Sequence, residues 1–178
     1  MHKRGSLRNL PNDTLATDMY FRTQEVCERY GLPAYETSNH ARAGAESRHN
    51  LVYWRYGDYV GIGPGAHGRI TVNRQKLATE TYSDPNRWLE QVGKTGWGRK
   101  SVEVVTAEDQ ANEYLMMSLR LAEGSDLNRY ASLKGSNLDA ANLEEMVSGG
   151  FVSREGGKIR TTPKGRPLLN AVLRQLLA

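Results

Sequence analysis

Residues 46–70, ESRHNLVYWRYGDYVGIGPGAHGRI, concentrate the side chains of this chain that could do chemistry. Two histidines and five glycines stand within these twenty-five residues, beside several aromatic side chains. Two short motifs divide the segment, HNLVYW and GIGPGAHG. Each motif allows a functional and a purely structural interpretation, and we take the two in turn.

In the first motif, HNLVYW, an imidazole is spaced to meet two aromatic rings. His49, Tyr53 and Trp54 share roughly one face if the segment forms a helical turn. Imidazole is a common ligand of haem iron, and aromatic rings suit a flat macrocycle. Chemistry alone favours a hydrogen-bonded histidine beside two core aromatics, so both interpretations stay open. A zinc site is poorly supported, because His40, His49 and His67 lack tight spacing and no cysteine assists them.

The second motif, GIGPGAHG, loosely fits the pattern G-x-G-x-x-G/A through Gly61, Gly63 and Ala66. A dinucleotide-binding site requires a helix directly after the glycines, but the strand-like HGRITVN follows here. A P-loop is excluded as well, because no Gly-Lys-Ser/Thr follows. Two interpretations remain: backbone that lies close to a flat or bulky group, or a tight strand and turn without a ligand.

Composition indicates a folded protein of one core or two small ones. The 178 residues are 38% hydrophobic and 25% charged. No apolar run approaches the roughly 20 residues of a membrane span, and MHKRGSLRNLPND lacks the apolar region of a secretory signal. The single cysteine, Cys27, excludes internal disulfides and multi-cysteine metal sites, so we expect a cytoplasmic protein with Cys27 as a small buried hydrophobe.

Sequence patterns predict an α/β arrangement in the first half of the chain. A helix is expected from a cap at Asn12 to about Tyr30, and a helix beginning at Pro85 is expected after a cap at Asp84. The segments LPAYETS and DYVGIG are predicted as strands, and GRITVN and KLATETY as a hairpin around residues 73–75.

A Gly-rich basic linker, Gly93–Lys100, is predicted before a mostly helical second half. Thr106 should open a helix that Gly124 ends, and two shorter helices are expected at about 126–134 and 139–148. A hairpin around Gly156–Gly157 and a last helix from Pro163 complete a winged-helix-like order.

The motifs together carry a resemblance to a known family. YETSNHARAGAESRHNLVYWRYGDYVGIGPGAHGRI, residues 35–70, resembles the HemW family of radical-SAM haem chaperones, once named oxygen-independent coproporphyrinogen III oxidases. The family shows Y-E-(I/V)-S-N-(F/Y/H)-A, then S-x-H-N-x-x-Y-W, then G-D-Y-x-G-x-G-x-G-A-H-(G/S). Thr37 replaces the usual Ile or Val. Residues 10–36 are similar to the family's last barrel helix and strand, and residues 150–177 to its small helical end domain.

The resemblance implies the C-terminal part of a longer protein. The expected fold is the C-terminal end of a radical-SAM partial (β/α) barrel with a β-hairpin extension, residues 1–98, followed by a winged-helix-like domain, residues 99–178. The family's C-x-x-x-C-x-x-C, which holds a 4Fe–4S cluster, and its G-G-G-T-P loop for S-adenosylmethionine are both absent here. We therefore expect these residues alone to bind no cluster and to catalyse no radical chemistry.

The resemblance also implies roles for residues of both motifs. His49, Asn50, Tyr53 and Trp54 would contact haem, with His49 as the axial ligand of the iron. The second set would lie near the pocket for S-adenosylmethionine and comprises Gly61, Gly63, Gly65, Ala66 and His67. The implied partners are haem or a porphyrin, the N-terminal radical-SAM half and a haem-acceptor protein.

Three alternatives remain. The parent could be the sibling enzyme, coproporphyrinogen III oxidase of porphyrin biosynthesis, although HNxxYW favours the chaperone. A winged-helix nucleic-acid-binding protein is the second. Residues 1–99 hold 14 basic and 10 acidic side chains, but residues 100–178 hold 10 of each, and the would-be recognition helix LDAANLEEMV has no Lys or Arg. We therefore expect no specific nucleic-acid binding. The third is a purely structural fragment that exposes apolar edges and self-associates.

Overall fold

The computed structural model describes residues 10–178, and they divide into two compact units at Glu46/Ser47. The prediction that residues 1–13 are not a secretory signal concerns a segment that lies mostly outside the described residues. The predicted domain boundary at 98/99 stays a prediction. No helix in the described range combines the length and apolar character that crossing a membrane requires.

The first unit contains the predicted helix, α1, at Asp13–Arg29. The Asn12 side chain accepts a hydrogen bond from the Leu15 backbone N–H at 2.8 Å, which caps the helix as expected. Gly31 follows the helix with φ +71°, a conformation that glycine adopts without steric cost.

The strand predicted over LPAYETS is wrong: residues 32–38 show bends and single bridge positions, among them a bridge between Ala34 and His40. Glu36 is the cause. Its buried carboxylate accepts hydrogen bonds from the Ser38 backbone N–H at 2.9 Å, from the Ser38 hydroxyl at 3.0 Å and from the Asn39 side-chain amide at 2.5 Å. Such local side-chain bonds compete with a strand ladder and turn the chain.

The second unit begins with α2, Arg48–Trp54, which Ser47 caps. The strand predicted over DYVGIG is also wrong. Only Tyr59 pairs, through an isolated bridge with Arg69. Tyr56 has a positive φ of 55° and Gly63 one of 97°, so the backbone bends at both ends of this segment and cannot stay extended.

A three-stranded antiparallel sheet follows, with strand order β1–β2–β3. Strands β1, His67–Val72, and β2, Gln75–Thr81, form the predicted hairpin, and Asn73 and Arg74 both take positive φ in its turn. Helix α3, Pro85–Thr95, starts after the predicted cap Asp84. Strand β3, Arg99–Val104, pairs with β2. Its first two residues therefore belong to the sheet and not to the predicted linker.

The rest of the chain follows the predicted order of helix, helix, helix, hairpin and helix. The elements are α4 (Ala107–Ser118), β4 (Ser125–Asp126), α5 (Leu127–Lys134), α6 (Ala140–Ser148), β5 (Val152–Glu155), β6 (Lys158–Thr161), a 3-10 helix (Arg166–Leu168) and α7 (Leu169–Leu176). Their apolar faces form one core, in which Leu115, Leu119, Tyr130 and Ile159 are almost fully buried. Each such side chain contributes about 1.5–3 kcal/mol to folding.

Two helix ends differ from the prediction. Helix α4 stops at Ser118, six residues before Gly124, and the Ser118 hydroxyl bonds the carbonyl of Tyr114 at 2.7 Å and the hydroxyl of Ser125 at 2.8 Å. The last α-helix begins at Leu169 rather than at Pro163. The Thr162 hydroxyl accepts the Gly165 N–H at 3.1 Å and holds residues 162–165 in a turn.

Candidate functional site

Helix α2 presents the imidazole of His49 to solvent. The Ser47 hydroxyl accepts the Asn50 backbone N–H at 3.3 Å and starts the helix one residue before the histidine. His49 is exposed, and its ring meets the Tyr53 ring edge to face, with 4.8 Å between centroids. Within the described part of the chain, no hydrogen bond engages a ring nitrogen of His49. The spacing i, i+4 therefore brings these two residues together as predicted.

Trp54 lies on the part of α2 that faces the protein. The guanidinium of Arg120 stands 5.3 Å from the centre of its ring, a cation–π distance. Its indole Nε1 is buried and has no hydrogen-bond partner among the described residues. A buried N–H without an acceptor is costly to stability.

The second ring that contacts Tyr53 belongs to Tyr59, at 4.4 Å between centroids. Tyr59 in turn pairs through its backbone with Arg69 of β1. Burial is the main reason that the pKa of Tyr59 is raised, so this phenol stays protonated across the physiological range. The two rings thus connect α2, which carries the predicted haem contacts, to the start of β1, which carries His67.

The end of α2 is anchored to the helical core by charged side chains. Arg55 binds Glu123 with two hydrogen bonds, at 2.8 and 2.9 Å. Arg129 of α5 donates to the Arg55 carbonyl at 3.1 Å and stacks on the Tyr114 ring at 4.6 Å. This two-point attachment orients α2, although each exposed ion pair adds at most about 1 kcal/mol to stability.

A buried network lies behind the site, and none of its pairings was predicted from the sequence. Glu113 of α4 accepts hydrogen bonds from the Tyr56 hydroxyl at 2.7 Å and from Arg69 at 2.6 and 3.0 Å. Burial alone raises the pKa of Glu113, but the hydrogen bonds from Arg69 and Tyr56 outweigh it and hold the pKa below its ordinary value. Burial and the hydrogen bond to Glu113 both raise the pKa of Tyr56.

Lys76 of β2 adds a second buried charge to this region. Its ammonium lies 2.6 Å from Asp58 and 4.5 Å from the centre of the Tyr56 ring. Asp58 also accepts the Thr71 backbone N–H at 2.6 Å. Burial opposes ionisation of Asp58, but the bonds from Lys76 and Thr71 leave its pKa lowered. The alternation of polar and apolar residues along β2 does not predict that Lys76 binds Asp58, or that Asp58 binds Thr71. Asp58 lies in the loop after α2, and Thr71 lies on β1.

The glycine motif forms a compact turn before β1. Gly63 and Gly65 have φ of +97° and +71°. The Thr81 hydroxyl donates to the Gly63 carbonyl at 2.6 Å and accepts the Ala66 N–H at 2.8 Å. A Cβ on Gly61 would clash with the carbonyl oxygen of His67. Contacts within the chain therefore account for these glycines, and the predicted contact with S-adenosylmethionine stays a prediction.

The residues present do not fit an iron–sulfur cluster. Cys27 is the single cysteine of the chain, and the described residues contain no group of three His, Cys, Asp or Glu side chains placed to hold a metal ion. A 4Fe–4S cluster needs three or four thiolates.

Comparison with known proteins shows which proteins the chain is similar to. Residues 105–168 match the HemN C-terminal domain. The chain is 31% identical to the heme chaperone HemW of Escherichia coli, over 95% of this chain and 44% of that protein, and 30% identical to HemW of Bacillus subtilis, over 92% and 43%. This chain is similar to the C-terminal part of a HemW-like protein. The resemblance drawn from its motifs is thereby confirmed.

Further similarity extends beyond bacteria and to a solved structure. The chain is 31% identical to the mitochondrial radical S-adenosyl methionine domain-containing protein 1 of Danio rerio, over 95% of its length. The coproporphyrinogen III oxidase HemN of Escherichia coli, described as a radical SAM enzyme, superposes with a TM-score of 0.69 over 94% of this chain at 18% identity. That likeness confirms the predicted mixed α/β fold. The chain spans about 40–44% of the length of these curated relatives.

Proposed function

We propose that this chain binds haem as cargo through α2 and takes part in haem transfer, with His49 as the ligand of the iron. The exposed imidazole of His49 is the observation that carries the proposal. Similarity to proteins named heme chaperones supports the choice of cargo. The coproporphyrinogen III oxidase activity for which HemN is named belongs to a chain more than twice as long.

The neighbours of His49 suit a flat iron-containing ligand. The Tyr53 ring packs against the imidazole edge to face and restricts its rotation, so less conformational entropy is lost when a nitrogen binds iron. Trp54 is half-buried on the same helix, and its ring would add apolar contact. Asn50 is half-buried on the same helix and would complete the contact.

The remaining parts of the proposal follow from the resemblance. We place Gly61, Gly63, Gly65, Ala66 and His67 near a pocket for S-adenosylmethionine in the full-length family, where a cysteine-bearing N-terminal part would hold the cluster. A haem-acceptor protein would be the second partner. Coproporphyrinogen III oxidase remains the alternative activity of the parent. A cytoplasmic location stays a prediction from the single cysteine.

The experiment is a hemin titration of the purified chain, followed by the Soret band. We expect a saturable shift at one hemin per chain, which His49→Ala abolishes. His40→Ala and His67→Ala are the matched controls. His40 is held by Gln24 at 3.1 Å and His67 stands on β1. Both control variants should titrate like the parent.

Added imidazole separates loss of the ligand from loss of the fold. If His49 binds iron, free imidazole should restore the Soret position in His49→Ala by occupying the vacated coordination position. Equal hemin affinity of His49→Ala and the parent would overturn the proposal. Equal loss in all three histidine variants would also overturn it, because hemin would then bind without a specific ligand.

A further inference from the structure

A cleft of about 210 Å³ opens between the end of α2, helices α4 and α5 and the β5–β6 hairpin. Its floor consists of Tyr114, Ser118 and Leu121, which are at most 3% exposed. We call it the charged cleft, because its rim carries Arg55, Glu123, Asp126, Arg129 and Lys158. Sites for drug-sized molecules hold about 300–1,000 Å³, so the charged cleft suits a smaller ligand.

The two carboxylates of the charged cleft are already engaged within the chain. Glu123 accepts two hydrogen bonds from Arg55, at 2.8 and 2.9 Å. Asp126 caps α5 by accepting the backbone N–H groups of Asn128 at 2.8 Å and Arg129 at 3.1 Å. Across residues 10–178, no carboxylate forms a salt bridge with the side chain of Arg129 or Lys158. Three cations against two carboxylates leave the rim with a net positive charge.

The guanidinium of Arg129 is held in place at the wall of the charged cleft. It stacks on the Tyr114 ring at 4.6 Å from the centroid, and one of its nitrogens donates to the Arg55 carbonyl at 3.1 Å. Its other N–H groups have no acceptor among the described residues. An oriented guanidinium with paired free donors is suited to bind two oxygens of one anion.

Lys158 brings a second cation to the charged cleft from the hairpin. It pairs with Asp126 in the β4–β6 ladder, which places it beside the start of α5. The hydrogen bond from Arg55 is the main cause of the lowered pKa of Glu123, and the charge of Lys158 lowers this pKa further. Arg160 of the same strand donates to the Glu123 carbonyl at 3.3 Å. Positive charge is therefore concentrated on this side of the hairpin.

We propose that the charged cleft binds a terminal phosphate group, either of free phosphate or of a phosphomonoester. Such a group carries a charge of about −1.5 to −2 at pH 7 and three acceptor oxygens. Arg129 binds two of these oxygens through its paired donors, and Lys158 neutralises the remaining charge. A carboxylate has one charge and two oxygens, so it uses only one of the two cations. The inference does not depend on haem binding at His49.

Backbone amide signals in nuclear magnetic resonance provide the test. Inorganic phosphate is added to the ¹⁵N-labelled chain at constant ionic strength, with chloride as the ion that it replaces. We expect saturable shifts of the Gly124 and Arg129 amides in the millimolar range, while the amides of α6 do not move. Acetate, with a single charge, should bind about fivefold more weakly.

Two organic phosphates distinguish the sources of the phosphate group. Phenyl phosphate is a monoester, and tighter binding of this probe than of inorganic phosphate would assign the cleft to phosphomonoesters. The reverse order would assign it to free phosphate. Dimethyl phosphate is a diester like those of a nucleic-acid backbone and carries one charge, so it should bind about fivefold more weakly than inorganic phosphate.

Three variants of exposed side chains test the two cations. Lys158→Gln should lower the affinity for inorganic phosphate about fivefold. Arg129→Lys keeps the charge but removes the paired donors, so it should weaken binding as well. Arg154→Gln is the matched control, because it removes a cation from β5 of the same hairpin outside the cleft, and it should bind phosphate like the parent. The dispersion of the amide signals shows that each variant is folded.

Absence of shifts at Gly124 and Arg129 in millimolar phosphate would overturn the proposal. Equal affinity for inorganic and dimethyl phosphate would overturn it, because the site would not then select a terminal phosphate. An equal loss in Arg154→Gln and Lys158→Gln would also overturn it, because phosphate would then be attracted by the basic hairpin as a whole. None of these outcomes bears on the hemin titration, which reports on His49.

Discussion

At the residue scale, Glu113 joins three parts of the second unit through its two carboxylate oxygens. It accepts from Tyr56 after α2, from Arg69 on β1, and it belongs to α4 itself. The Arg69–Glu113 pair is mostly buried, with side chains 21% and 20% exposed. Removing one partner of such a pair leaves the other charge desolvated and unpaired, which costs more than the pair contributes.

We therefore expect Glu113→Gln to lower the free energy of unfolding by about 1–3 kcal/mol, because Arg69 loses its charged partner. Urea denaturation followed by circular dichroism measures this change. Glu144→Gln on the exposed surface of α6 is the control and should stay within about 0.5 kcal/mol of the parent. A loss in Glu113→Gln no larger than in the control would show that the network does not contribute to stability.

The same residue predicts a pH dependence. The folded-state pKa of Glu113 is lowered, so its stabilising contribution is present above the ordinary glutamate pKa of about 4.3 and is lost as the pH falls through the lower folded value. Stability of the parent should therefore decline in acid, and Glu113→Gln should decline less steeply. Parallel acid denaturation curves for the two proteins would contradict this assignment.

At the element scale, the two hairpins use the same turn geometry with different residues. Asn73 and Arg74 connect β1 to β2 with φ of 49° and 66°, and Gly156 and Gly157 connect β5 to β6 with φ of 55° and 77°. Two-residue turns with both φ positive match the twist of the paired strands. Arg74 has a Cβ and pays a steric cost that glycine would not.

Substitution of Arg74 by Gly should accordingly stabilise the protein by about 0.5–1 kcal/mol, whereas Gly156→Ala should destabilise it by about 1 kcal/mol. Thermal unfolding measures both, and opposite shifts of the midpoint are expected. A midpoint that falls in Arg74→Gly would mean that the arginine side chain makes contacts worth more than its backbone strain.

The winged-helix-like order of α4 to α7 carries its basic side chains on the hairpin and not on helix α6. Glu144 and Glu145 are exposed on α6, while Arg154, Lys158 and Arg160 lie on the β5–β6 hairpin. We expect only weak binding to duplex DNA, independent of sequence and lost between about 50 and 200 mM salt, as measured by fluorescence anisotropy. Sequence-specific binding that survives 200 mM salt would revive the nucleic-acid alternative.

At the scale of the whole molecule, the two units differ in how much they bury. Helix α1 has no buried residue, whereas α4 buries Ala111, Tyr114, Leu115 and Ser118. Local stability follows buried apolar contact, so α1 should open at a lower free energy than α4. The sequence-based expectation of self-association through exposed apolar side chains stays a prediction that light scattering would test.

Hydrogen exchange at the backbone amides should report this difference. Amides of α1 should exchange at least tenfold faster than amides of α4 and α7, because opening α1 breaks few apolar contacts. Mass spectrometry of peptic peptides provides the measurement. Equal protection of α1 and α4 would show that the first unit is stabilised by contacts other than burial.

The sequence by itself determined the elements whose signals are local. Asn12, Asp84 and Thr106 mark helix starts because a cap bonds within three residues, and residues 73–74 mark a hairpin because the turn lies between adjacent strands. The motifs of residues 35–70 carried the similarity to HemW-like proteins, since such a similarity depends only on residue types and their spacing along the chain.

Only the tertiary structure decided which distant groups meet. The Glu36 carboxylate accepts a hydrogen bond from Asn39 in a segment predicted as a strand. Glu113 accepts hydrogen bonds from Tyr56 and Arg69, which lie more than forty positions away along the chain. Arg129 and Lys158 came to line one cleft through the pairing of β6 with β4. Hydrogen bonds and desolvation depend on proximity in space, and no periodicity along the chain records that proximity.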